Sequence, residues 1–267
     1  MTIHPRALVA EGAEIHPTAQ IGPYAIIDAQ VSIGEGTEVG AHVMLTGHTR
    51  IGKHNRIHPF ASIGGPPQDL KYQGEDTGVL IGDDNQIREY VSIHRGTVTG
   101  RGVTTVGSGN LLMAYSHLAH DCLVGDQVIM ANGATLGGHV SIGDHVNLGG
   151  MVAIHQFSRV GAFSYIGGMS GISKDVPPFV IATGVRDQLR ITGINKIGLK
   201  RHGFANEEIT TLSRAFTTIF RTNLVLSEAL DKAAAEFPGC RLVTELVEFM
   251  RAPNRFGVVR KFDADDQ

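Results

Sequence analysis

The chain has 267 residues and a formal net charge of −3, which allows one large domain with a small appendage and offers no global attraction for nucleic acid. Glycine is abundant, 34 residues against the roughly 7% of an average protein; tryptophan is absent, and Cys122 and Cys240 fit neither a disulfide framework nor a CxxC metal knuckle. No basic start followed by an apolar core opens the chain, and no run approaches the roughly 18–20 apolar residues of a membrane span, so the expectation is a cytoplasmic protein without one.

A period of six begins near the N-terminus. Val9, Ile15, Ile21, Ile27, Ile33, Val39, Leu45, Ile51, Ile57 and Ile63 are each six residues apart, and Ile81, Ile87 and Ile93 keep the phase. After a slip of one, Val106, Leu112, Leu118, Val124, Met130, Leu136 and their successors take it up again as far as Ile172. Six is neither a helical period nor that of a simple strand. It is the hexapeptide signature of a parallel β-helix, in which three short strands and turns make one triangular coil of about 18 residues. The aliphatic residue points inward and stacks on its counterpart one coil below. Residues 9 to 178 then form about nine coils, a prism roughly 45 Å long. Parallel crossovers are right-handed as a rule, and periodicity is silent on the hand.

Two stretches leave the repeat. Residues 64–80, GGPPQDLKYQGEDTGVL, form a polar excursion that places Gln68, Asp69, Lys71 and Tyr72 within five positions. Residues 94–105 cause the one-residue slip. Loops leaving a regular scaffold commonly carry function. The predicted division is residues 1–185 as the hexapeptide-repeat domain with both loops inserted, and 186–267 as a linker and α-helical domain.

Beyond Pro177-Pro178 the period ends. Residues 179–203 read as irregular and basic, with Arg186, Arg190, Lys196, Lys200 and Arg201 against the single acid Asp187. Ile209, Leu212, Phe216, Ile219 and Phe220 then follow helical spacing, with Asn206 as N-cap. Ser227 is placed to cap a second helix ending before Pro238-Gly239, and a third spans about Arg241 to Arg251. Such a tail can cover the open end of the prism, whose last rung otherwise presents unpaired backbone. The final KFDADDQ reads as frayed.

The coil length converts sequence into neighbourhood. His120-Asp121, Gly138-His139 and His155-Gln156 fall at nearly one edge on three successive coils, with His117 on the preceding face. Three readings are open. These are ordinary turn residues; or imidazoles on adjacent rungs ligate zinc, as in a β-helical hydratase; or a histidine oriented by a carboxylate acts as general base, with a glycine N–H one coil above as oxyanion donor. The last arrangement suits acyl transfer.

IHRGT, NLLM, HLAHDC, HVSIGD, IHQF, the QDLKY loop and GLKRHGF, taken together and at these spacings, resemble the bacterial UDP-N-acetylglucosamine acyltransferases that begin lipid A synthesis. The resemblance spans nearly the whole chain and implies a left-handed β-helix followed by a helical domain. It implies His120 as general base, Asp121 as its orienting partner and the Gly138 N–H as oxyanion donor. It implies His117, His139, His155 and Gln156 as the lining of the nucleotide-sugar and acyl pocket, and Gln68, Asp69 and Lys71 as a loop gripping sugar and diphosphate in a neighbouring subunit's cleft. Asn195 and Arg201 match further ligand contacts, and Gly168 matches the position limiting acyl length, here suited to 3-hydroxymyristoyl. It further implies a homotrimer, an acyl carrier protein as donor and no cofactor or metal. The basic cluster at 186–201, with Arg159 and Lys174, offers a face for that acidic donor. Two departures touch the nucleotide side: Ile197 stands where the family has an acid, and His202 where an arginine is common. A related subset acylates a 3-amino sugar nucleotide, which a histidine base serves equally well.

Overall fold

A computed structural model describes residues 2–260. The chain winds as a left-handed parallel β-helix whose three faces are parallel sheets of two- to four-residue strands. Face one runs from Thr2–Ile3 to Val180–Thr183, face two from Leu8–Val9 to Gly171–Ile172, and face three from Glu14–Ile15 to Arg159–Val160. The first strand lies one repeat ahead of Val9, because Ile3 is already in phase.

Each hexapeptide contributes one inward aliphatic and one outward residue, the period-2 consequence of a two-residue strand. Ile27, Leu45, Ile63, Ile93, Leu118 and Leu136 are fully buried in one continuous column. Coils normally pair residues eighteen apart, as in Glu38↔Arg56 and His117↔Thr135. Arg56 pairs with Gln86, thirty positions on, and Gln86 with Leu111, twenty-five on. The two insertions therefore add twelve and seven residues without disturbing the stack. An interior ladder of asparagines holds the register across them. Asn55 Oδ1 accepts from Asn85 N–H at 3.0 Å, Asn85 Oδ1 from Asn110 N–H at 2.9 Å, and Asn110 Oδ1 from Val128 N–H at 2.7 Å.

The edge between faces one and two carries a different ladder. Tyr24, His42, Phe60, Tyr90 and Tyr115 stack ring on ring, with successive centroids 5.0, 5.0, 5.1 and 4.9 Å apart. Their outer rims are exposed, and Met151 and Met169 continue the same edge upward, also exposed.

Above Pro178 the chain is more regular than its composition suggests. Val180–Thr183 turns through a 3₁₀ turn at Arg186–Gln188 and returns antiparallel as Arg190–Ile194. Val180 and Ala182 are buried in alternation, while Ile191 and Ile194 are buried three apart, where the register of the pair shifts. Four helices follow: α1 Lys196–Arg201, α2 Asn206–Phe220, α3 Leu226–Glu236 and α4 Arg241–Arg251. Asn206 is the first helical residue and not the cap; Ala205 is the N-cap, and its N–H donates to Glu208 at 3.0 Å. α3 begins at Leu226, one residue before Ser227, without a side-chain cap.

The open end is finished by extended chain. Arg190–Ile194 pairs with the last strand of face one, Gly171 N–H donates to Gly184 at 3.0 Å, and Asp175 exchanges hydrogen bonds with Gly257 (3.0 Å) and Val259 (2.9 Å). Only extended backbone can continue a strand ladder, so the helices pack outside these segments. The expectation of fraying at KFDADDQ concerns residues outside those described.

Candidate active site

The edge between faces two and three gathers the histidine stripe. His117 pairs with Thr135 and Thr135 with Ala153, which sets His120, Gly138 and Gln156 one above another. His139 N–H donates to the His120 carbonyl at 3.0 Å, and Phe157 N–H to that of Gly138 at 2.9 Å. Asp121, His139 and Phe157 share the left-handed φ of this corner, 60°, 62° and 67°.

His120 Nδ1 lies 2.8 Å from Asp121 Oδ2. The Asp121 side chain is wholly buried and His120 is 14% exposed. Burial alone would raise the Asp121 pKa, but donors from Thr97, His120 and Arg101 outweigh it and hold the carboxyl below its ordinary value. An ionised carboxylate only accepts, so Nδ1 carries the proton and Nε2 is left as the basic nitrogen. That Nε2 edge packs against Gly138, where a Cβ would stand 2.7 Å from both Cε1 and Nε2. The Gly138 N–H has no acceptor among the described residues. An imidazole with a free Nε2, a carboxylate that fixes its tautomer and a backbone N–H without an acceptor among the described residues thus share one corner.

Other imidazoles surround this core. His139 meets the His120 ring edge-on at 5.0 Å and stacks on Phe157 at 4.4 Å. Burial lowers its pKa, with Asp121 opposing. His117 Nδ1 lies 2.7 Å from Ser92 Oγ, and burial keeps this ring neutral more readily than a free histidine. His94, one coil below, meets His117 at 4.8 Å and is lowered to about 4 by burial and by His117 and His120. Cys122, next to Asp121, is no nucleophile: its thiol is buried, donates to the Gly137 carbonyl at 3.2 Å, and burial pushes its pKa up to about 12.

The first insertion leaves the same edge. Asp69 Oδ1 accepts from Lys71 N–H at 2.9 Å, and Arg95 braces the loop through Tyr72 Oη and the Gly64 carbonyl, both at 2.9 Å. Gln68 and Lys71 are exposed, and Leu70 between them is entirely so. His155 is exposed, with its Nδ1 near the Gln156 carbonyl at 3.1 Å.

Asn195, Arg201 and Gly168 lie elsewhere on the prism. Asn195 caps α1, accepts from Gly198 N–H at 3.1 Å and donates to the Phe163 carbonyl at 2.8 Å. With Ile197, Arg201 and His202 it lines a cleft of ≈ 670 Å³ beside face one, walled by Leu111, Ile129, His145 and Tyr165. Gly168 stands on the aromatic-ladder edge beside Met169. One chain therefore brings together the residues at 68–71, 117–121, 138–139 and 155–156, and separates them from Asn195, Arg201 and Gly168.

Five neighbours escaped sequence reasoning. Phe157 was findable, since it is in register with Asp121 and His139. Thr97 and Thr104 lie where the insertion breaks the phase. Arg255 sits 3.9 Å over Phe157, and Phe256 meets His155 at 5.1 Å; nothing local in the sequence announces that the C-terminal segment returns to this edge.

His120, Asp121 and His139 also place one ligand-type atom each within 4.8 Å of one another. The set suits zinc poorly. Both Asp121 oxygens already accept from backbone and hydroxyl donors, and His120 turns Nδ1 toward the carboxylate and not toward a shared centre.

Comparison with known proteins agrees with this geometry. A family profile described as UDP N-acetylglucosamine O-acyltransferase, domain 2, matches residues 175–259, and bacterial transferase hexapeptide repeats match 12–47 and 103–138. The acyl-[acyl-carrier-protein]–UDP-N-acetylglucosamine O-acyltransferase of Thermodesulfovibrio yellowstonii is 55% identical over 204 residues, covering 76% of this chain and 78% of that one. Its counterpart from Syntrophobacter fumaroxidans is 52% identical over 206 residues, 77% and 79% of the two chains. Among solved structures, LpxA of Acinetobacter baumannii superposes with a TM-score of 0.90 at 44% identity, over 97% of this chain and all of that one. The UDP-N-acetylglucosamine acyltransferase of Francisella novicida gives 0.92 at 39%, over 99% and 95%. At this identity and coverage, with the dyad and its glycine in place, the chain belongs to the acyl-[acyl-carrier-protein]–UDP-N-acetylglucosamine O-acyltransferase family.

Proposed function

We propose that the protein transfers a 3-hydroxyacyl chain, 3-hydroxymyristoyl in our reading, from acyl carrier protein to the 3-hydroxyl of UDP-N-acetylglucosamine, the first step of lipid A synthesis. The observation that carries this is the His120–Asp121 pair beneath the Gly138 amide. His120 Nε2 takes the proton of the sugar hydroxyl as its oxygen attacks the thioester carbonyl. The new C–O bond leaves an oxyanion, which accepts from Gly138 N–H. Collapse breaks the C–S bond, and the proton on His120 passes to the departing thiolate. The base contributes about 10²–10⁴ in rate and the oxyanion donor about 10²–10³. His117, His139, His155 and Gln156 line the acceptor pocket, with Gln68, Asp69 and Lys71 on the sugar and diphosphate. No cofactor or metal takes part in these steps.

The working unit in this reading is a homotrimer. Asn195 and Arg201 can touch the same ligand as His120 only if the face-one cleft of one copy meets the histidine edge of the next. The edge between faces one and two concentrates the exposed apolar side chains, Tyr24, Phe60, Tyr90, Tyr115, Met151 and Met169. A ring of copies joined through faces one and two turns this edge onto the symmetry axis. Gly168 on that edge then bounds an acyl chain running across face two, whose outward residues shrink from Thr135 to Ala153 to Gly171. The basic segment 186–201, with Arg159 and Lys174, faces the acidic carrier protein. No described helix is long and apolar enough to cross a membrane, and we place the enzyme in the cytoplasm.

The test is an assay of purified protein with hydroxyacyl carrier proteins of graded length and two acceptors, the 3-hydroxy sugar nucleotide and its 3-amino analogue, with products identified by mass spectrometry. The expected product is the 3-O-ester. Formation of the amide alone would move the acceptor assignment to the amino sugar, and no transfer to either would end the proposal.

A further inference from the structure

We propose that the second insertion is a built receptor for the Asp121 carboxylate, and that Thr97 is the positioning residue through which it governs His120. This rests on the reading of His120 as the base. A corner carboxylate on a solenoid ordinarily faces water. Asp121 does not, because the coil that carries residues 94–105 is seven residues longer than the rule and the excess folds over it. Thr97 Oγ1 donates to Oδ2 at 2.7 Å, and Thr97 N–H is shared between Oδ1 and Oδ2 at 3.2 and 3.1 Å. Arg101 and Gly102 N–H reach Oδ1 at 2.7 and 3.1 Å. Asp121 N–H in turn donates to Thr104 Oγ1 at 2.8 Å.

The turn that aims these amides closes on the Thr97 carbonyl, which accepts from Gly100 and Gly102 N–H at 3.0 Å each. It fits only because residue 100 is glycine: a Cβ there would lie 2.4 Å from Asp121 Cγ. Burying an ion without such donors is prohibitive. With them, the carboxylate is fixed in place and in charge state.

The consequence for chemistry lies at Oδ2. This oxygen is shared by the Thr97 hydroxyl and His120 Nδ1–H. Removing the hydroxyl leaves more of its charge to the imidazole, which favours the protonated ring and a less available base. Other groups facing the pair are His117 on the same coil, His94 from the coil below and His139 from the coil above, its Nε2 3.9 Å from Oδ2. Asp69 and Arg255 act on His139 with opposite signs. All are unchanged in the variants below.

The experiment measures kcat/KM against pH for wild type, Thr97→Val, Thr97→Ser and Gly100→Ala. Alongside, the histidine ring protons are titrated by NMR without substrate, the His120 signal being assigned by its loss in His120→Gln. Thr97→Val is expected to move the acid limb, and the His120 titration, up by about one pH unit, with about a tenfold loss of rate below the limb. Thr97→Ser keeps the hydroxyl and stays near wild type. A limb that does not move in Thr97→Val, or an equal loss in Thr97→Ser, overturns the proposal. Should Thr97→Val fail to fold, Gly100→Ala, which displaces the amides, is read by the same criterion. A wild type inactive in acyl transfer would remove the base assignment, while the NMR titration would still decide the receptor.

Discussion

The imidazole of His120 rests directly on the α-carbon of Gly138, so closely that a β-carbon there would approach Cε1 and Nε2 to 2.7 Å. One glycine therefore serves two purposes, leaving room for the imidazole and presenting its own N–H beside it. Gly138→Ala should displace the ring without unfolding the coil. The expected loss in kcat is about 10²–10⁴, the worth of a positioned base. His120→Ala should lose as much, and the double variant little more than either alone. Additive losses in that cycle would show that the two residues act separately.

Sites shared between copies can be tested by complementation. His120→Ala and Arg201→Ala subunits, each impaired alone, are to be unfolded, mixed in equal amounts and refolded. If the catalytic edge of one copy meets the cleft of the next, about a quarter of all sites in the refolded mixture, roughly one in each mixed ring of three, carry both intact halves. Activity no greater than the sum of the separate variants would mean that each chain works by itself.

The aromatic ladder should hold the ring of copies together. Tyr90→Glu with Tyr115→Glu puts charge at the axis of the proposed ring and is expected to shift sedimentation toward monomer, with activity lost in parallel. The same two charges at Ser32 and Thr105 on face three should leave the assembly intact. Dissociation by the control pair, or none by the ladder pair, contradicts this assignment of the seam.

Stability should fall in mild acid. Burial holds the folded-state pKa of His94 at about 4, below the unfolded value near 6.5, and moves His117, His139 and His202 in the same direction. A depressed histidine takes up protons mainly on unfolding. Its contribution is therefore complete above about pH 6.5 and declines as pH drops toward 4. Thermal melts between pH 7.5 and 5 should show Tm decreasing with acidity, and His94→Gln should flatten that slope.

Chelation should not matter. With Asp121 saturated by hydrogen-bond donors, prolonged dialysis against EDTA is expected to leave acyl transfer unchanged, and added zinc to restore nothing. A stoichiometric zinc whose removal abolishes turnover would revive the hydratase reading.

Much of this was legible in the residues because a solenoid translates sequence distance directly into height. Once Ile21, Val39 and Ile57 announce the period, the stacking of His120, Gly138 and Gln156 follows by addition. The same rule fails wherever the period breaks. Thr97 lies inside an insertion, so no multiple of eighteen leads to Asp121. The strand at Arg190–Ile194 was hidden because it is antiparallel and its buried Ile191 and Ile194 are three apart across a bulge, which matches neither a period of six nor one of two. Arg255 reaches Phe157 through tertiary folding of the tail, for which no local pattern exists.

The ring column on the first edge also gives the protein an optical handle. The chain has five tyrosines and no tryptophan, and Tyr24, Tyr90 and Tyr115 stand in that column. Ultraviolet emission from the native protein therefore comes largely from a single ridge, unmasked by indole. If the proposed ring of copies closes on that ridge, quenching of the emission by acrylamide on dilution would follow its dissociation without any added label.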